Sequence, residues 1–179
     1  MTLQTGMMLL AAKMPLDMMI SKMSEGMVET LKIFFLTLLF SLPLGLVIAF
    51  GRMAKNRIIR YIVTVYIAIM RGTPLMLQVM AIYFGPNYLL HIRIPRSYRF
   101  IAIIVAFALN YAAYFAEIYR SGIESMPVGQ YEASRLLGYN KAQTFFKIIL
   151  PQVIKRILPS ITNEVICLVK DTSLAFSIA

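Results

Sequence analysis

From Met27 to Gly51 the chain runs for 25 residues with only Glu29 and Lys32 as ionisable groups, both near the start. As a helix rising 1.5 Å per residue, such a run reaches about 37 Å, enough to cross a hydrocarbon core of about 30 Å. The same character returns along the chain: 59% of the 179 residues are hydrophobic and only 15% are charged. A soluble core of this size cannot hide so much apolar surface, so the expected class is an all-α integral membrane protein.

A second apolar run extends from about Ile58 to Gly85 and is interrupted near its middle by Arg71-Gly72-Thr73-Pro74. Pro74 lacks an amide proton and disfavours helix at Thr73, so this run is expected to kink or break there while crossing once. A third run covers Phe100 to Tyr119, and a fourth starts near Val153 and is unfinished at Ala179, so four spans are expected. Ahead of them, Leu16, Met19, Ile20, Met23 and Met27 recur at helical spacing, while Asp17, Ser21, Ser24 and Glu25 lie on other faces. That pattern predicts a helix lying flat in the membrane interface before span one turns inward, making residues 1–25 an interfacial N-terminal segment. The apolar patch Met7 to Ala12 has no basic stretch before it and no cleavage site after it, so it does not read as a removable signal.

Lysine and arginine set the orientation, because short cytoplasmic loops are enriched in them. The link between spans one and two holds Arg52, Lys55, Arg57 and Arg60, and that between three and four holds Arg120, Arg135, Lys141, Lys147, Lys155 and Arg156. These ten stand against five on the other side: Lys13, Lys22, Arg93, Arg96 and Arg99. The N-terminus is therefore expected outside and the 125–151 segment in the cytoplasm. The net charge of +10 is scattered between apolar runs and not gathered on one face, which argues against nucleic acid.

Ionisable groups inside a bilayer cost about 2.5 to 3.5 kcal/mol each on insertion scales unless they face protein or water. In the third run Asn110, Tyr114, Glu117 and Ser121 share one helical face; in the fourth, Ser160, Asn163, Glu164, Cys167, Lys170 and Asp171 form a stripe. Either the two stripes face each other and line a solute path, or they serve helix assembly alone. Glu117 is spaced to pair with Arg120, Lys170 sits beside Asp171, and Arg71 reads as a kink-associated charge near the cytoplasmic side. Cys167 is expected to pack, and His91 has no Cys, Asp or Glu neighbour with which to build a metal site or a triad. The spans hold no nucleophile and base pair, which disfavours a membrane-embedded enzyme; a non-transporting scaffold is the other rival.

The segment Ser125 to Pro151 is polar and basic between two apolar runs. It is predicted to form a short helix over Gln130 to Leu137, a stop at Gly138 and a second short helix over Lys141 to Ile149, arranged as an L, with Pro151 opening span four. On the second helix Phe145, Ile148 and Ile149 make an apolar face while Lys141 and Lys147 stay wet. An elbow that cannot sit in lipid is expected to be a docking surface, its apolar face entering a groove on a partner.

Here the sequence resembles the transmembrane subunits of type I ABC importers, whose cytoplasmic coupling loop reads Glu-Ala-Ala, three residues, Gly, nine residues, Ile, one residue, Leu-Pro. Glu132, Ala133, Gly138, Ile148, Leu150 and Pro151 agree in spacing, and Ser134 replaces one small residue by another. The resemblance narrows to the permeases of polar amino-acid uptake, including histidine, glutamine, glutamate and arginine systems, which show runs similar to five stretches of this chain. These are Arg71 to Leu75, Tyr83-Phe84-Gly85, Ala116 to Arg120, Pro127 to Gln130 and Lys170 to Leu174.

It implies a type-1 ABC transmembrane domain over 26–179 with its coupling loop at 125–151. It implies as partners cytoplasmic ABC ATPase subunits, a second identical or different permease subunit, an extracellular solute-binding protein, a polar amino acid and the lipid of a bacterial plasma membrane. The solute path is expected among Asn110, Tyr114, Glu117, Asn163, Glu164, Lys170 and Asp171. The family has a fifth span after the 170–174 region, so a chain of this length is expected to be a shortened permease, with an inactive permease or a scaffold as the alternative. None of the nine glycines belongs to a Gly-x-x-x-x-Gly-Lys-Ser/Thr phosphate loop, so the chain is not the ATPase. ATP and Mg²⁺ are expected in the partner, and no cofactor on this chain.

Overall fold

The computed structural model describes residues 15–91, Pro95 and 98–178. Lys13, Arg93, Arg96 and the patch Met7 to Ala12 lie outside the described residues. Helix α1, Leu16–Arg52, begins with Asp17 in its first turn and ends with Arg52 in its last, charges that complement the two ends of the helix dipole. The turn expected between an interfacial segment and span one is absent: α1 is one helix of 37 residues. Gly26 alone costs a helix only about 1 kcal/mol, too little to stop a run this apolar.

Helix α2, Arg57–Gly72, is capped by Asn56, whose side chain accepts from the Ile58 amide at 2.9 Å. Helix α3, Leu75–Leu90, follows after Thr73-Pro74, and the pair is bent by 108° at the break predicted from Pro74. His91 ends α3 in the left-handed conformation, with φ 51°, and its amide donates to Pro86 O. Its role here is to close a helix.

Helix α4, Tyr98–Glu124, is the centre of the molecule, touched by α1, α2, α3 and α7. Its alanines at 102, 106, 108, 112, 113 and 116 are all buried, so neighbouring backbones approach closely. Against it α1 presents Ile33, Thr37, Ser41, Gly45 and Ala49, one residue per turn. The opposite face of α1, with Phe35, Leu39, Val47 and Phe50, is exposed, as an element bordered by lipid requires.

Helix α5 covers Val128–Leu136, α6 covers Lys141–Gln143, and π-type turns at Thr144–Ile149 lead into α7, Leu150–Asp171, followed by a 3-10 segment at Thr172–Ile178. The second arm of the expected L is therefore not a separate short helix. It is the start of one continuous rod from Lys141 to Asp171. The widened turns stand just before Pro151, where an ordinary ladder would lose a donor and meet the proline ring.

Among the described residues, α1 and α4 have the length and apolar character of a membrane crossing, and the bent α2–α3 pair makes a third if counted as one span. The fourth expected span, α7, is long enough but carries Lys155, Arg156, Glu164, Lys170 and Asp171. By length and apolarity alone, two or three crossings are identified among the described residues, and α7 is set apart from them by its charges.

Candidate functional site

Breaking a helix at Thr73 frees carbonyls that lipid cannot satisfy. Gln78, one turn into α3, turns its amide back and donates from Nε2 to Met70 O at 2.9 Å, Thr73 O at 3.1 Å and Thr73 Oγ1 at 2.7 Å. From α4, Asn110 Nδ2 donates to Met70 O and to Gln78 Oε1, each at 3.0 Å. Asn110 is buried, and both its donated hydrogen bonds go into holding the bend.

The bend leaves Arg71 exposed at the end of α2, its guanidinium 5.1 Å from the centre of the Tyr114 ring. Arg71 forms no ion pair among the described residues, yet it lies within electrostatic reach of Glu117 and Glu164. From α7, Asp171 accepts a hydrogen bond from the buried Tyr111 hydroxyl at 2.7 Å, and Tyr111 lies beside Tyr114. Arg71, Tyr111, Tyr114, Glu164 and Asp171 thus form one polar centre drawn from three helices.

The other residues expected on the path separate from it. Glu117 is tied to Arg120, with Nη2 donating at 2.6 Å, and to Arg52 Nε at 3.6 Å. Arg120 also pairs with Glu124, so this network joins the end of α1 to α4. The Glu117–Arg120 pair is the assembly alternative weighed for these residues. Asn163 and Lys170 are exposed, and Lys170 does not pair with Asp171, whose bond goes to Tyr111. Gln78 and Tyr111 were missed by sequence reasoning; a lone amide four residues after Pro74 in an apolar run was the available signal for Gln78.

At the other end, Pro127 leads into α5, and the turn after it is fully built. Tyr139 N donates to Ser134 O and Gly138 N to Arg135 O, both at 3.0 Å, with Gly138 at φ 79°: a Schellman stop. Asn140 then starts α6 with a capping box, its Oδ1 accepting from Gln143 N at 2.9 Å while Gln143 Oε1 accepts from Asn140 N at 3.0 Å. Ser134 is buried and its hydroxyl donates to Gln130 O, so only a small residue fits there. Glu132, Ala133, Gly138 and Pro151 are exposed, while Ile148 and Leu150 are half-buried.

The apolar face of the second arm points inward. Ile149 is buried with Met126, Val153 and Ile157, and Phe145, Ile148 and Tyr131 pack on that cluster. Gly122 lets α4 meet α7 here, since a methyl at that position would run into Ile157 Cγ2. Arg156 adds a clasp, donating from Nη1 to Ser125 O at 2.6 Å. The expectation that Phe145, Ile148 and Ile149 enter a partner's groove is corrected: they fasten the elbow to its own spans. What the elbow shows outward is Val128, Leu136, Leu137 and Phe146, with Leu136 90% exposed.

Residues 41–179 match the family described as the binding-protein-dependent transport system inner membrane component. The chain belongs to this family. The permease is 40% identical over 150 residues to a protein of Rickettsia bellii named provisionally as a glutamine transport system permease, covering 84% of this chain and 67% of that one. It is 39% identical over 150 residues to the arginine transport system permease of Bacillus subtilis, covering 84% and 67%. To the L-cystine transport system permease of the same organism it is 38% identical over 156 residues, covering 87% and 65%. The permease spans about two thirds of the length of these relatives.

Among solved structures it matches the crystal structure of an amino acid ABC transporter with histidines, at TM-score 0.78 and 35% identity, covering 93% of this chain and 77% of that one. It shares its fold with the MetNI methionine ABC transporter, at TM-score 0.65 and 21% identity, covering 93% and 78%. The permease is a transport subunit of the membrane; ATP hydrolysis in this family resides in a separate subunit, and a binding protein is implied by the family itself.

Proposed function

We propose that the permease forms, with a second permease subunit, the membrane path of an ATP-driven importer of a polar amino acid. Cytoplasmic ATPase subunits grip residues 125–151, and an extracellular binding protein delivers the solute. The observation that carries this reading is the elbow. Its turn is locked by the Gly138 and Asn140 motifs, it is welded to α4 and α7, and yet it leaves Leu136, Leu137 and Phe146 uncovered. In this role Glu132 supplies a charged contact, Gly138 the turn, and Ile148, Leu150 and Pro151 the link to α7. The charge bias of the loops supports an external N-terminus in a bacterial plasma membrane, with nucleotide and Mg²⁺ held by the partner.

The polar centre suits an amino-acid head. A free amino acid carries a carboxylate and an ammonium; exposed Arg71 over Tyr114 matches the first, and Glu164 with Asp171 the second. Asn163 and Lys170 lie along the exposed edge of the same helix, and Asn110 and Glu117 anchor the walls. Relatives named for glutamine, arginine and L-cystine share that head and differ in side chain. ATP-driven closure moves the elbow, and the α7 rod carries the motion to Asp171, biasing the bundle between outward and inward access.

The test is reconstitution of the permease with its ATPase and binding protein in proteoliposomes. A polar amino acid should stimulate ATP hydrolysis and accumulate inside, and Arg71→Ala and Glu164→Gln should each abolish most of that uptake. Unstimulated hydrolysis with every amino acid tried, or full uptake by both variants, overturns the assignment.

A further inference from the structure

Between α5 and the start of α6 the elbow holds a cleft of about 280 Å³, lined by Tyr131, Arg135, Tyr139, Lys141, Thr144 and Phe145. Its polar lining consists of a guanidinium, an ammonium and three hydroxyls, all able to donate hydrogen bonds, and none of the six is a carboxylate. Neither Arg135 nor Lys141 is in an ion pair among the described residues. Glu132, three residues before Arg135 on the same helix, forms no ion pair with it. The three aromatic rings wall the space beside the two cations, which are themselves exposed and open to a partner.

We infer that this cleft receives an acidic side chain of the ATPase subunit, so that the elbow is a receptor as well as an insert. The inference rests on the reading of the elbow as the ATPase contact. The occupant follows from the lining and from its neighbours. Two unpaired cations call for a carboxylate, the fork of Arg135 suits its two oxygens, and the Tyr and Phe walls suit the methylenes that carry it. Leu136 and Leu137, 90% and 74% exposed, stand next to Arg135 in sequence and extend the surface beyond what a free inorganic anion would cover. The locked turn at Gly138 to Gln143 sets the separation of the two arms, so the cleft is formed before the partner arrives.

The experiment uses the full permease assembled with its ATPase in nanodiscs, with a benzophenone amino acid in place of Tyr139. Illumination should link this position to an ATPase peptide containing Asp or Glu. Arg135→Glu together with Lys141→Glu should weaken ATPase retention at least about tenfold at low salt. Changing the linked acid of the ATPase to Lys should restore it, and Arg135→Lys with Lys141→Arg, which keeps both charges, should retain more ATPase than the charge reversal does. Both positions are exposed, so membrane insertion of these variants should equal the parent's. A link only to lipid or to the permease itself, or unchanged retention after charge reversal, overturns the inference while leaving the docking reading intact. A parent permease that holds no ATPase at all overturns both.

Discussion

The polar centre at the helix break and the elbow at residues 125–151 both depart from an apolar rod, and they treat their polar groups in opposite ways. At the break the amides and the freed carbonyl are paired: Met70 O takes two amides, Gln78 is engaged on both sides, and Asp171 holds the Tyr111 hydroxyl. At the elbow the turn between α5 and α6 is held by the Schellman and capping-box bonds, while Glu132, Arg135, Lys141 and Lys147 form no ion pair among the described residues. The first region spends its polarity on keeping a shape where lipid offers no hydrogen bonds. The second keeps its shape with local turn and cap bonds and leaves its charged side chains uncovered. Arg71 belongs by position to the first region and by its exposure and lack of an ion pair among the described residues to the second, in keeping with the contact role proposed for it.

Substitutions can break this contrast. The largest effect is expected at Gly138, where φ is 79° and a β-branched residue is strained by about 1 to 2 kcal/mol or more. Gly138→Val should leave the permease in the membrane and reduce solute-stimulated ATP hydrolysis at least about tenfold, while Gly138→Asn, tolerant of that conformation, should retain most of it. Next comes Gly122→Val, which drives a side chain into Ile157; thermal unfolding in detergent should show a loss of about 1 to 3 kcal/mol.

Asn110→Ala should cost about 1 to 2 kcal/mol by the same assay, because Met70 O and Gln78 Oε1 each lose a donor in a dry place. Paired with Gln78→Ala it should be non-additive, since the two amides share one carbonyl. The smallest effect on folding is expected for Leu136→Ser, within about 0.5 kcal/mol of the parent, although ATPase retention should fall. A large stability loss at Leu136, or none at Asn110, would erase the distinction between the two regions.

The break at Thr73-Pro74 was legible because a proline acts through its own ring and missing proton. The 108° bend and its clasp were not, since Gln78 and Asn110 meet Met70 only once α3 and α4 are packed. The stop at Gly138 was legible for the same local reason as Pro74. The face of the second arm that would be covered was misjudged: an amphipathic pattern reveals two faces, and Met126, Val153 and Ile157 decide which of them the chain hides. Span one was read as shorter than α1 because Asp17 and Glu25 looked like an interface, although nothing between Pro15 and Pro43 breaks a helix strongly. Glu117 illustrates the remaining gap. Its spacing to Arg120 allowed a pair, but the reach of Arg52 from α1 depended on a close helix packing that spacing alone does not encode.

Helix continues without interruption from Lys141 to Asp171, through the π-type turns at Thr144–Ile149 and past Pro159, and this has a mechanical meaning. About 45 Å long and fastened partway along by the contact at Gly122 and the Arg156 clasp, it would, under the proposed drive, carry a small shove at its wet foot to its far tip. The carboxylate bonded to Tyr111 rides on that tip, so a tilt of this tiller under the proposed drive would be felt at the Tyr111 bond.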